Sequence, residues 1–360
     1  MKLNFFSTHV LNNSRRPQME RAQRDMIVAS HEAATGRLYD PGVVLGHKTG
    51  RFVYNEGQLN NISRLMDTNN LVAQRMVAGQ EAINSLVGGK GANDKGIEGV
   101  LTRFNTELVG YPSVSDSETL QRSARSAIKS FYSAMNTSFS GEYVFGGTNT
   151  QQAPMKPYED AQKVMQQAFE DFFGFASDDA QARDITAGQM AEFIDGPFSD
   201  LFNEDNWKEY FSNAEDSVPR NIISPAGEMV DAGISANEKG FREALKNLAL
   251  VGEFGALGLS EDAQDMLISR TRAGTDNTST GSAVTQIISS ASRLGAAESQ
   301  LSKATDRMSL QEKVLADTRV ELIGVDQAEA IQRVMDTMNM LNMSYQLTMQ
   351  LSRMSLVNYL

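Results

Sequence analysis

The chain has 360 residues, a formal net charge of −12 and 41% hydrophobic residues. That length allows two or three domains, and the acidity weighs against nucleic acid as a partner, because phosphate binding calls for a basic surface. Three histidines and no cysteine leave little for zinc, thiol or disulfide chemistry, and no cofactor is expected.

The opening MKLNFFSTHVLNNSRRPQ is not a secretory signal by pattern: Asn4 breaks the apolar run Leu3–Phe6, and the basic pair Arg15–Arg16 follows it instead of preceding it. From Pro17 to Ala34, Met19, Ala22, Met26, Ala29 and Ala33 step by three and four, which predicts a helix with a narrow seam. Gly36 ends it, and Asp40–Pro41–Gly42 reads as a turn. A second helix is predicted over Leu59–Leu86, with Ile62, Met66, Asn69, Val72, Met76, Gly79 and Ile83 at near-helical spacing. After the loop GGKGANDKG, Ile97, Leu101, Phe104 and Leu108 predict a third helix. Ser115 and Glu118 form a capping-box pair opening a fourth, with Leu120, Ala124, Ala127, Phe131, Ala134 and Ser138 in line up to Gly141. In GEYVFGGTNT (141–150), Tyr143–Phe145 between glycines reads as a short strand and turn.

Residues 151–255 differ in character. Five of the eight prolines fall here (Pro154, Pro157, Pro197, Pro219, Pro225), with Trp207 and several acidic loops. Helices at Ala161–Phe173 and Glu238–Val251 alternate with strand-like pieces such as RNIIS, which predicts an inserted mixed α/β domain. Beyond AGTDNTSTGS, Ile287, Leu294, Leu301, Met308, Leu315 and Leu322 recur every seven residues. A sustained seven-residue period calls for a partner helix along a rod. Gly324 marks a joint, and Asp326 with Glu329 opens another helix.

That final helix raises a question of solubility. Ile331, Val334, Met338, Leu341 and Tyr345 make one apolar stripe; Met340, Leu347, Leu351 and Met354 make a second; Met335, Met349 and Leu356 fill between them. From Thr337 to Leu360 the only charged side chain is Arg353. The first stripe can be covered by the Met19–Met26 helix, but the second has no cover within the chain. A helix apolar around its circumference must be buried somewhere. A membrane-surface helix would carry a Lys- and Arg-rich polar face, and there is no run of ~18 apolar residues to span a bilayer, so neighbouring copies of the chain are the expected cover. The fold class expected is mainly α: long antiparallel, coiled-coil-like helices from both termini forming a rod, with the inserted domain between. The segments are 1–38, 39–150, 151–255, 256–323 and 324–360.

DQAEAIQRVMDTMNMLNMSYQLTMQLSRMSLVNYL (326–360) resembles the C-terminal signature of the bacterial flagellin family, and the exit Ala33-Ala34-Thr35-Gly36 resembles its amino-terminal pattern. GEYVFGGTNTQQAP (141–154) is similar to the stretch found in the family's hook-associated, hook–filament junction branch. The chain departs from that branch at YDPGVVLGHKTGR (39–51), where an acidic turn is usual. The resemblance implies an extracellular structural protein of the flagellum, exported by the type III route without a cleavable signal peptide. It implies as partners other copies of the chain, an adjacent hook-associated protein, flagellin, and an export chaperone.

The alternatives are a minor filament subunit or, in a different class, a soluble enzyme or binding domain with its site in 151–255 around Trp207. SAIK (126–129) and KTG (48–50) stand in the wrong order for a penicillin-binding enzyme, and DNTSTG (276–281) lacks the acidic ligands of a calcium loop. No acid/base, nucleophile or metal constellation stands out, so no enzyme is expected.

Overall fold

The computed structural model describes residues 8–90, 96–110, 117–256, 258–275 and 281–357. The protein is mainly helical: its described strands form three two-stranded sheets, each a short antiparallel pairing. The chain divides into two compact units, residues 65–307 and residues 1–64 with 308–360. Both divisions fall inside long helices rather than at the composition changes near residues 150 and 255.

In the unit 65–307, helices α3 (Thr49–Val87) and α11 (Ala283–Ile323) contribute one antiparallel pair. Asn69 Nδ2 reaches Thr305 Oγ1 at 3.4 Å, and Gln80 Nε2 donates to Glu298 Oε2 at 2.7 Å. Ile287, Leu294 and Leu301 are buried as the seven-residue period predicts. On α3, Asn69, Met76 and Ile83 of the expected stripe are buried seven apart, and the first of them is polar. Asn69 is satisfied by donating to Ile223 O at 3.0 Å and accepting from Asn221 Nδ2 at 3.1 Å. It thereby fastens the hairpin β5 (Arg220–Ile222)–β6 (Met229–Asp231) to the helix, and a polar residue at such a position also fixes register.

Helix α4 (Val100–Gly110) buries Leu101, Phe104 and Leu108, while Ile97 belongs to the strand β2 (Gly96–Ile97), paired with β1 (Gly89–Lys90). Helix α5 (Ser117–Met135) buries Leu120, Ala124, Ala127, Phe131 and Ala134. It stops short of the expected end at Gly141. Ser138 opens strand β3 (Ser138–Phe139), which turns through Ser140 (φ 52°) and Gly141 (φ 83°) into β4 (Glu142–Tyr143). The expected cap Ser115 lies outside the described residues.

The GGTN turn that follows is built by close approach. A Cβ on Gly146 would stand 2.2 Å from Asn149 O, and one on Gly147 would stand 2.1 Å from Glu215 O. Thr148 N donates to Ser217 O at 2.8 Å, Glu215 N to Gly146 O at 3.1 Å and Ala236 N to Phe145 O at 2.8 Å. Residues 141–150 are therefore stitched to 213–217 and 236, and both glycines are required by the space rather than by flexibility.

The segment 151–255 is mostly helical, with β5–β6 as its strand pair. Helix α6 (Tyr158–Phe173) ends on Gly174 in the left-handed conformation. Helix α7 (Ala187–Phe193) starts with a full capping box between Thr186 and Gln189. Helix α8 (Glu204–Tyr210) carries Trp207, and α9 (Lys239–Phe254) crosses the middle of the unit, packed on α5 and on α10 (Glu261–Thr275). Phe169, Phe193, Phe198 and Phe254 pack edge-on and stacked at ring-centroid separations of 5.2 to 5.8 Å. Trp207 stacks on Phe211 at 5.1 Å, and its indole N–H donates to Asn237 Oδ1 at 3.1 Å. One continuous apolar core runs from α3 and α4 through this segment to α11.

In the unit formed by 1–64 and 308–360, the first half of α3 and the last part of α11 again run antiparallel. Asn55 Nδ2 donates to Leu315 O at 2.9 Å, and Asn55, Leu59 and Ile62 are buried. Met308 is buried, and Leu315 and Leu322 are half-buried. α3 begins ten residues before the expected Leu59, at Thr49. Helix α1 (Thr8–Thr35) also begins before the expected Pro17, which it contains. It pairs with α12 (Gln327–Val357), which starts on the expected cap, Asp326 Oδ1 accepting from Ala328 N at 2.8 Å. Both partners break at one level: Leu38 N donates to Ile323 O at 2.9 Å and Val325 N to Gly36 O at 3.0 Å, with Gly36 at φ 67°.

Candidate assembly surface of the terminal helices

Three side-chain links fix the direction and register of the α1–α12 pair. Gln327 Nε2 donates to Ala33 O at 3.3 Å, Arg333 Nη2 to Glu32 Oε2 at 2.8 Å, and Gln23 Nε2 to the Tyr345 hydroxyl at 3.4 Å. Partner numbers rise on one helix as they fall on the other, so the pair is antiparallel.

On α1, Ala22 and Ala29 are buried, and Met19, Met26 and Ala33 are half-buried. Glu32 joins them. Only 4% exposed, it holds Arg333 on α12 and accepts from Tyr39 N at 3.4 Å. Sequence reasoning passed over Glu32 because it looked for apolar residues. The signal was its position, three residues after Ala29 on the same face.

On α12 the observed seam is narrower than the expected stripe. Ala330 and Leu341 are buried and Val334, Thr337 and Ser344 half-buried, stepping by four and three. Val334 and Leu341 were in the expected stripe; Ile331, Met338 and Tyr345 were too, but they stand 45%, 52% and 47% exposed. The physical reason is size. Ala22 and Ala29 let the helices approach closely, and close approach selects Ala330, Thr337 and Ser344, not the larger apolar neighbours. Met335, Met340, Met343, Leu347 and Met349 are exposed as well. Leu351, Met354 and Leu356 lie where α12 is described without its side chains.

α12 thus buries one stripe against α1 and leaves large apolar side chains around the remainder, with no charge between Thr337 and Gln350. Contiguous apolar surface of this kind marks an interaction site. Among the described residues no helix is long and apolar enough to cross a membrane, and no group of three or more His, Asp or Glu is placed to hold a metal ion. Trp207, the centre of the enzyme alternative, is a fully buried core residue.

The terminal pair thus sets a helix with exposed apolar side chains antiparallel to a helix from the other end of the chain. The bacterial flagellin N-terminal helical region matches residues 6–150 and the bacterial flagellin C-terminal helical region matches residues 278–360; the chain belongs to the bacterial flagellin family. It is accordingly related to structural, self-polymerising components of the flagellum. Among solved structures it is similar to a chain described as a flagellar hook-associated protein from Vibrio parahaemolyticus, at 10% identity and a TM-score of 0.46, over 77% of this chain and 97% of that one. No curated protein gives a significant match.

Proposed function

We propose that the protein is a structural subunit that polymerises through the α1–α12 pair to join hook to filament, outside the cell. The observation that carries this reading is the exposed apolar face of α12 from Ile331 to Met349, uncharged from Thr337 onward. Left in water such a face is costly, at roughly 25 cal/mol per Å² of apolar surface. Packed between copies it drives assembly. The assembly residues are the α1 seam (Met19, Ala22, Met26, Ala29, Ala33), which holds α12 in place, and the outer face of α12 (Ile331, Met338, Tyr345, Leu347). The junction role rests on the likeness of residues 141–154 to the hook-associated branch. The same face would be shielded before export by a chaperone, and in the assembly by other copies, an adjacent hook-associated protein and flagellin. No catalytic role is proposed.

The test is Leu341→Asp. A carboxylate forced into the α1–α12 seam costs several kcal/mol. Polymerisation, followed by sedimentation and electron microscopy, should be lost while the Trp207 fluorescence transition of the unit 65–307 is unchanged. Normal polymers from this variant would end the assignment. Gold-labelled antibody on detached hooks separates the junction reading from a minor filament subunit: label confined to the hook tip supports the first, and label along the filament the second.

A further inference from the structure

The stretch 39–51 is ordered without a core of its own. Helix α2 (Pro41–Leu45) and the 3-10 turn Gly46–Lys48 contain no buried residue. Polar contacts hold them: Asp40 Oδ1 accepts from Val43 N at 3.2 Å, and Thr49 Oγ1 donates to Gly46 O at 2.7 Å and lies 3.3 Å from Gly42 O. What the segment displays is apolar. Val43 is 79% and Val44 62% exposed, and one turn into α3 come Val53 and Tyr54 at 61% and 67%. Exposed Lys48 and Arg51 lie between them in the chain, neither in an ion pair among the described residues.

A second exposed face in the same unit has the opposite sign. On α11, Leu310 (69% exposed), Val314 (64%), Asp317 and Glu321 follow at steps of four, three and four, so they share one stripe. Its first half is apolar and its second half acidic; neither acid has an ion pair among the described residues.

We propose that the Val43–Tyr54 face of one copy docks on the Leu310–Glu321 stripe of the next. Valines and Tyr54 meet Leu310 and Val314, and Lys48 and Arg51 meet Asp317 and Glu321. Apolar area on both sides supplies adhesion, and charge complementarity sets partner and register. Two different patches meeting head to tail leave a free patch on each side of the pair, so they build rings or open filaments, the latter as a polymer requires. The contact rests on the polymer reading for its occupant, a second copy, and adds a surface separate from the α12 face.

The chain's lack of cysteine makes the test direct. Val44→Cys and Val314→Cys, both at exposed sites, are made in separate full-length chains and oxidised alone and mixed, in concentrated solution and under polymerising conditions. The mixture should give disulfide-linked dimers severalfold above either variant alone. Adding Arg51→Glu to the Val44→Cys chain should cut that yield severalfold, and Glu321→Arg in the Val314→Cys chain should restore it. A mixture that cross-links no better than the single variants overturns the contact, as do dimers from Val44→Cys alone. A yield unmoved by Arg51→Glu overturns the charge register. If polymers form without the mixed cross-link, this contact falls while terminal-helix assembly stands; if Leu341→Asp polymerises with the cross-link present, the reverse holds.

Discussion

In α9, twelve of sixteen residues are buried, from Gly240 to Phe254; in α12, Ala330 and Leu341 are the buried residues among those whose side chains are described. Both helices are rich in large apolar side chains. The difference is in what surrounds them. α9 has α5 on one flank and α10 on another, and its end enters a cluster of phenylalanines. α12 has α1. A helix apolar on all sides is satisfied when neighbours cover all sides, so the same composition yields a finished core in one unit and an unfinished surface in the other. The contrast locates the packed core in residues 65–307 and, on the proposed reading, association in the chain ends.

The largest effect expected from this contrast is in the finished core. Phe254 is fully buried and stacks on Phe169 at 5.2 Å. Phe254→Ala should cost about 3–5 kcal/mol, the usual range for emptying such a site, measured as a shift in the denaturant transition followed by the single tryptophan, Trp207. A loss below about 1 kcal/mol would mean that burial there is not tight packing.

The terminal pair gives the sharper comparison. Leu341→Ala empties a buried seam position and should cost the α1–α12 pair about 2–5 kcal/mol. Met338→Ala, three residues away and 52% exposed, should stay within about 0.5 kcal/mol in the isolated chain yet weaken polymerisation. Circular dichroism on melting and sedimentation on assembly separate the two readouts. Equal costs in the isolated chain would show that the exposed face is covered after all.

Next in size is Asn69→Ala. It leaves Ile223 O without its side-chain donor and Asn221 Nδ2 without its acceptor in a buried setting. An unsatisfied buried group costs about 1–3 kcal/mol, and the loss should appear as faster hydrogen exchange across β5–β6. Unchanged exchange there would show that the hairpin is held by other contacts, among them Glu228 with Arg307 at 2.7 Å.

Where periodicity is carried by large apolar residues, the sequence was legible. On α11 the seven-residue run is buried from Ile287 to Met308 and half-buried at Leu315 and Leu322, and the α5 stripe from Leu120 to Ala134 and the cap at Asp326 appear where spacing put them. Where the seam is made of small or polar residues, it was not. Asn55 sits at a seam position of α3 ahead of the expected helix start, and Ala330, Thr337 and Ser344 outrank Met338 and Tyr345 on α12; a hydrophobicity count ranks each of these the wrong way round. Ile97 and Ser138 were assigned to helices because a stripe can be extended by chance one turn into a following or preceding strand. The GGTN turn was visible as a turn, but its reason, carbonyl oxygens 2.1 to 2.2 Å from any added Cβ, lies in long-range packing that no local pattern records.

The smallest effect expected is electrostatic. The Lys208 ammonium donates to Asp216, and Asn237 Nδ2 donates to its other oxygen at 2.8 Å; these bonds, Lys208's first, hold the Asp216 carboxyl below its ordinary value of 3.8. A carboxyl depressed in the folded state adds stability that is fully present above its unfolded value and lost as pH falls through the folded one. The stability of the unit 65–307 should therefore decline below about pH 3.8 more steeply in the native chain than in Asp216→Asn, as read from denaturant midpoints along a pH series. Because both partners are largely exposed, the difference should be slight and should shrink further in high salt. A salt-insensitive difference would point instead to the Asn237 hydrogen bond, which also joins Asp216 to the indole of Trp207 through one side chain and so ties this surface pair to the finished core.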